Sequence, residues 1–277
     1  MENEIIETKK RRWPKRVFII VLILTFFIIY IHKIEPSFIT TKEYAITNSK
    51  IPPSFEGFKI AHFSDIHFGR TTNENEIKTI VKKINEMKPD IVVFTGDLFD
   101  PYITLSKENE TFLEEQLSTI HSTLGNYAIL GDHDYEQKDV YQNIMNNANF
   151  QILENNIPIY YKGTTPIYLK GISSNQEISL SSSNNKEYQI TLCHEPAIFD
   201  DIYTNSDLVL AGHSLGGLIR LPFTNGLFKF DKTNNYILGE YKKENSTLIV
   251  SNGIGTENLS IRLGNPPTIN LYRLYNN

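Results

Sequence analysis

Five short apolar stretches of this chain each stop at an Asp, a His or both, just where a turn is expected. This recurrence limits the fold more than any other feature. Phe58–Phe63 runs into Ser64-Asp65-Ile66-His67, Asp90–Phe94 into Thr95-Gly96-Asp97, and Tyr127–Leu130 into Gly131-Asp132-His133. Glu187–Leu192 runs into Cys193-His194 and Leu208–Leu210 into Gly212-His213. Between the first two, Ile77, Ile80, Val81, Ile84 and Met87 fall at helical spacing before Pro89, and Leu113, Leu117, Ile120 and Leu124 mark a second helix. Where strands alternate with helices, groups at the carboxyl ends of the strands meet in one crevice. Asp65, His67, Asp97, Asp132, His133, His194 and His213 are therefore expected to converge. Tyr236–Leu238, Thr247–Val250 and Thr268–Leu274 are expected as strands of a second sheet.

The residue types in that set point to metal chemistry. Cys193 is the single cysteine, so neither an internal disulfide nor a thiolate-rich zinc site is available. Carboxylates mixed with imidazoles suit Zn, Mn or Fe better than an all-oxygen calcium cage. In Asp65-Ile66-His67 both side chains can reach one ion, and Asp97, following a glycine, can bridge two. Asp132, His194 and His213 would complete the second ion. Two ions ~3.5–4 Å apart generate a hydroxide at neutral pH and clamp phosphate oxygens, which leaves His133 to protonate the leaving oxygen as general acid. One such residue alone is more simply a helix cap, a turn former or a satisfied polar group. Independent caps would not recur as this ordered set.

The N-terminus adds a second constraint. Val17–Ile31 is an unbroken apolar run and, with its flanks, approaches the ~17–25 residues that span a bilayer. Residues 1–16 carry a net +3, which keeps that end inside and leaves −8 of the total −5 for the remainder. A body this acidic repels polyphosphate, so no nucleic-acid partner is expected. The sequence organises as a basic cytoplasmic segment 1–16, a transmembrane anchor 17–34 and one domain 40–277. This predicts a single-pass protein of the cell membrane with its main domain outside the cytoplasm and the lipid bilayer as a partner. A cleaved signal peptide competes with this, but small residues of the cleavage type do not follow the run. Arg11-Arg12 as a twin-arginine signal is less suited to the very apolar run. Ser179–Asn185 is expected as a surface loop.

Residues 212–217, Gly-His-Ser-Leu-Gly-Gly, can be parsed in two incompatible ways. As Gly-x-Ser-x-Gly they form the nucleophile elbow of a serine lipase or esterase, with Ser214 attacking. That triad needs a later His, and none of the seven histidines follows Ser214. The elbow also needs a helix, and Pro222 soon interrupts. As a metal turn, the same residues supply His213.

Ser64-Asp65-Ile66-His67, Gly96-Asp97-Leu98-Phe99-Asp100, Gly131-Asp132-His133-Asp134, Cys193-His194-Glu195-Pro196 and Ala211-Gly212-His213 together resemble the calcineurin-like metallophosphoesterases. Ser251-Asn252-Gly253-Ile254-Gly255 and Arg262–Pro267 extend the likeness, which is to the membrane-associated bacterial branch. It implies an α+β fold, a four-layer αββα sandwich, here preceded by one N-terminal transmembrane helix. It also implies two divalent ions. Asp65, His67 and Asp97 would hold the first, with Asp97 bridging, residue 132, His194 and His213 the second, and His133 would be the catalytic acid. The substrate would be a phosphate ester or pyrophosphate of a small molecule or, because the anchor holds the site near the bilayer, of a lipid. Two positions depart from the family pattern. Asp132 stands where Asn is usual, and Leu215 where a His ligand is usual. Leu has no lone pair, so the first ion is one ligand short. His62 and His121 are the candidate substitutes, and strand alternation turns His62 to the face opposite Asp65. The alternative expectation is a catalytically degenerate relative that keeps the fold and acts by binding.

Overall fold

The computed structural model describes residues 15–100, 102–176, 186–224, 226–257 and 260–277. The Ser-rich stretch 179–185 and nearly all of the basic segment 1–16 lie outside them. Two six-stranded sheets face each other. The first contains β1 (Thr40–Thr47), β2 (Lys59–Phe63), β3 (Ile91–Phe94), β4 (Asn126–Ala128), β5 (Phe150–Ile152) and the last strand, β12 (Thr268–Tyr275), in the order β1-β12-β2-β3-β4-β5. The second contains β6 (Ile157–Ile159), β7 (Ile167–Ile172), β8 (Gln189–Cys193), β9 (Leu208–Ala211), β10 (Gly239–Lys243) and β11 (Ser246–Val250), in the order β10-β11-β9-β8-β7-β6. Strands β2 to β5 are mutually parallel, as are β7, β8, β9 and β11. Their carboxyl ends line one rim of each sheet.

The central strands are buried on both faces, and period-two alternation divides their side chains between two cores. Ile60, Ile91, Val93 and Ile129 meet Leu169, Ile190, Leu192, Leu208 and Leu210 in the layer between the sheets. Ala61, Phe63, Val92 and Phe94 point the other way. They pack with Ile77, Ile80 and Ile84 of α3 (Glu74–Met87), Leu113 and Leu117 of α4 (Lys107–Ser118) and Ile144 of α5 (Lys138–Asn147). The outer face of the second sheet is covered by a thinner layer around Phe199 and Ile202 of α6 (Phe199–Ile202). The order is αββα, with the fourth layer reduced to one short helix and turns. Helix α3 starts at a reciprocal cap. Asn73 accepts from Asn75 N, and Glu76 accepts from Asn73 N.

Three expectations need correction. The second helix ends at Ser118, because Asn85 takes over beyond it: its amide donates to Thr119 O and its carbonyl accepts from His121 N. Ile120, His121 and Leu124 therefore lie in the following turn. Tyr236–Leu238 is not a strand, since the N–H groups of Ile237 and Leu238 donate to the Tyr241 hydroxyl instead of to a ladder. Thr268–Tyr275 belongs to the first sheet, between β1 and β2. Its parallel partner β1 has largely exposed side chains and shows no apolar alternation in sequence.

Ahead of β1, helix α1 (Lys15–Ile29) continues through a wider turn, Tyr30–Ile34, into α2 (Glu35–Ser37). The stretch Lys15–Ser37 is long and apolar enough to cross a membrane. None of α1 is buried against the domain.

Candidate metal centre

Every sequence-predicted site residue lies at the shared rim. Asp65 and His67 follow β2, Asp97 follows β3, Asp132 and His133 follow β4, His194 follows β8 and His213 follows β9. The turns that carry them are wound tightly. Asp65, His67, Asp97 and His213 all have left-handed backbone, with φ of 53°, 49°, 60° and 66°. Such conformations cost non-glycine residues roughly 1–2 kcal/mol each, and they gather where a site must over-determine its side chains. The turns after β3 and β4 touch through glycines. A Cβ on Gly96 would collide with Gly131 N, and one on Gly131 with Asp97 Oδ1.

Four ligand atoms, one each from Asp97, Asp132, His194 and His213, lie within 4.8 Å of one another. His194 Nδ1 donates to Thr95 O at 2.7 Å, so its Nε2 turns inward, 3.0 Å from Asp132 Oδ1 and 3.2 Å from Asp97 Oδ2. His213 Nε2 donates to Asp231 O at 2.7 Å, so its Nδ1 turns inward, 3.4 Å from Asp132 Oδ1 and 3.3 Å from His194 Nε2. Backbone carbonyls thus fix both tautomers and leave two lone pairs aimed at one point, the arrangement a metal-binding histidine requires.

A second group, His67, Asp97 and His133, shares Asp97. His133 Nδ1 sits 2.9 Å from Asp97 Oδ2 and His67 Nε2 3.8 Å from the same oxygen. Asp65 completes this side differently. Its Oδ1 accepts from His213 N at 2.8 Å, while its buried Oδ2 has no hydrogen-bond partner. An orphaned buried carboxylate oxygen beside a second cluster is what a missing cation would satisfy, so the residues fit a metal pair. Leu215, however, is buried with one methyl packed toward Gly253 beside Asp65. An apolar group occupies the surroundings of that carboxylate.

The electrostatics follow from these contacts. Burial pulls His194 down, but Asp97 and Asp132 outweigh it and hold the imidazole well above its ordinary range. Burial likewise lowers His133, and the bond to Asp97 raises it to about 9. Burial raises Asp65, and its neighbouring imidazoles offset only part of that. Asp97 lies well below the carboxylate range because the imidazole partners of His194 and His133 overcome burial. His67, with burial dominant, is lowered to about 4.

Some working parts carry no strong sequence signal. Asp134, fully buried, accepts from Asp97 N, Leu98 N and Gly131 N at 2.8 Å each and locks the bridging turn. Its place in Gly-Asp-His-Asp was the available clue. Thr95 O and Asp231 O are backbone atoms with no residue-type signature. The proposed substitutes for Leu215 are elsewhere. His62, buried between the sheets, bonds Tyr272 Oη and Thr95 Oγ1 at 2.9 Å each, and His121 lies in the turn after α4. The Ser214 hydroxyl is buried and donates to Ile237 O at 2.6 Å, which is not the exposed nucleophile an elbow presents.

Paired Asp/His groups at the facing rims of two sheets define a metal-dependent hydrolase of phosphoric esters. Residues 58–217 match the calcineurin-like phosphoesterase family, and the chain belongs to it. It is 30% identical over 255 residues to the metallophosphoesterase YkuE of Bacillus subtilis (strain 168), covering 88% of each chain. It is 29% identical over 251 residues to a metallophosphoesterase of Aquifex aeolicus (strain VF5), covering 85% of this chain and 92% of that one. A shorter match, 36% over 92 residues, is to the UDP-2,3-diacylglucosamine pyrophosphatase LpxG of Chlamydia trachomatis, covering 32% of this chain and 27% of that one. Among solved structures, a dimetal phosphatase from Danio rerio aligns with a TM-score of 0.41 at 9% identity, over 72% of this chain and 88% of that chain.

Proposed function

We propose that the protein is a membrane-anchored phosphoesterase that hydrolyses a phosphate ester or pyrophosphate, lipid-linked substrates included, on the outer side of the cell membrane. The observation that carries the chemistry is the convergence of His194 Nε2, His213 Nδ1, Asp97 and Asp132 at the strand ends. These four would hold one divalent ion, and Asp65, His67 and Asp97 the other, with Mn, Zn or Fe as the matching metals. When bound, the metals supply a nucleophile from water and positive charge for the phosphate oxygens. The protein's own share is positional. Thr95 O and Asp231 O hold the imidazoles, Asp134 holds the Asp97 turn, and the carboxylate of Asp97 faces both groups. His133 is 20% exposed against 1% for His67, so it is the group able to meet a leaving oxygen and give it a proton.

The anchor and the single domain 40–277 belong to the same proposal. They are supported by the length and unburied surface of Lys15–Ser37. The partial match to a pyrophosphatase acting on a diacylated sugar nucleotide supports an amphiphilic substrate. A second reading is favoured by Leu215 alone, a degenerate family member that binds without turnover.

Elemental analysis of the purified full chain, with turnover of bis(p-nitrophenyl) phosphate in added Mn²⁺ or Zn²⁺, separates the two. Metal and turnover together are expected. Absence of both, unrestored by Leu215→His, would leave the binding role.

A further inference from the structure

The chain leaves its apolar helix by docking, not by dangling. Ile31 O accepts from Arg262 N at 3.0 Å, His32 Nδ1 donates to Ser260 O, and the buried Glu35 carboxylate accepts from Asn265 N at 2.7 Å. Arg262 is fully buried and donates to Asn252 O, Gly255 O and Asn265 O. The helix end is therefore bonded to Ser260, Arg262 and Asn265 beside the site's rim, which sets the height of that rim above any bilayer α1 enters.

A second apolar feature lies beside this exit. Arg220 N donates to Leu263 O and Leu227 N to Ile219 O, which places residues 221–224 and Gly226 in a loop beside Leu263. Arg262, which bonds Ile31 O, and Leu263, which bonds Arg220 N, are adjacent in the chain, so the loop starts beside the helix exit. At its tip Phe223 is fully exposed, and Leu221 and Leu227 are 48% and 63% exposed. Exposed aromatic and aliphatic groups clustered on one loop mark a contact surface. From Leu208 to Phe230 there is no acidic residue, while Arg220 and Lys229 are present, on a chain that is otherwise acidic. The loop returns into the site itself: Phe230 packs by His213, and Asp231 O holds its ring.

We infer that the loop around Phe223 is a second membrane contact that dips into the headgroup layer beside the helix exit and sets the His213 edge of the site at the bilayer surface. Apolar groups flanked by Arg or Lys are what an anionic interface selects, and a phosphate in that layer reaches the site without leaving it. This rests on α1 lying in the membrane, and it specifies the source of the substrate proposed above.

The test uses the full chain with Trp13, its one tryptophan, changed to Phe and Phe223→Trp introduced. The protein is reconstituted in phosphatidylcholine–phosphatidylglycerol vesicles containing brominated acyl chains. Blue-shifted, quenched emission is expected at 223. It is not expected for Tyr160→Trp, which follows β6 at the opposite ends of the strands. Water-like, unquenched emission at 223 would overturn the contact. A dimer in detergent that Phe223→Ser breaks would then assign the patch to a second copy. In the Leu221→Ser/Phe223→Ser/Leu227→Ser variant, turnover of phosphatidic acid in these vesicles should fall about tenfold or more, the loss expected from withdrawing one buried aromatic. Turnover of soluble bis(p-nitrophenyl) phosphate should hold. Equal losses on both would make the loop a plain part of the fold. Quenching reads the contact even in a chain without turnover, and alkaline carbonate extraction of the wild type reads the anchor separately.

Discussion

At the scale of single residues, the proposed ligand set is interrupted by one apolar side chain. Leu215 packs beside Asp65, whose Oδ2 has no donor. Leu215→His is expected to raise the metal content toward two ions per chain, read by elemental analysis. It should also raise turnover on the order of 10–100-fold, since even an outer partner of a metal site is worth that much. His133 is the complementary case. His133→Gln should lower kcat by about 10²–10⁴, the usual worth of a general acid, with metal content unchanged. Metal lost along with rate would instead make His133 the ligand that replaces Leu215, a role its 2.9 Å approach to Asp97 permits.

At the scale of elements, the turns after β2, β3 and β4 do the positioning, and they depend on one another. Asp134 accepts three N–H groups from two turns. Asp134→Asn turns an amide donor toward those donors and should cost about 1–3 kcal/mol, measured by denaturant unfolding, together with a drop in metal affinity measured by titration. Much of this level was legible in the sequence. Strand ends marked by Asp and His pointed to the cluster that the fold assembles, because a buried strand reads as an apolar run and its terminal turn needs polar residues. Strands β1, β5, β6, β7 and β10 were not legible. Ile157–Ile159 is three residues long with Pro158 inside it, and β1 exposes most of its side chains, so neither shows a hydrophobic period. The histidine-holding carbonyls of Thr95 and Asp231 were out of reach for a different reason, since any residue type supplies them.

At the scale of the whole molecule, the layer between the sheets contains a titratable group that stays neutral. Burial lowers His62 to about 3 from an ordinary imidazole value near 6.5. The folded state refuses a proton that the unfolded chain accepts, so its contribution is intact above pH ~6.5 and is lost as pH falls toward 3, by up to on the order of 4 kcal/mol. Thermal unfolding of the chain should show this acid loss, and His62→Gln should flatten it. Chelation is expected to lower the melting temperature as well as abolish turnover, because ions that bind only the native rim stabilise it by mass action. The same architecture has a consequence in time. Strand β12 lies between β1 and β2, so a distant stretch of the chain must wedge between two that precede it. Until Thr268–Tyr275 docks, β2 and the turn bearing Asp65 and His67 hang on an open edge. A chain of this design therefore keeps a sticky, half-paired sheet until one remote strand finds its slot, and the turn beside that slot is among the last parts to settle.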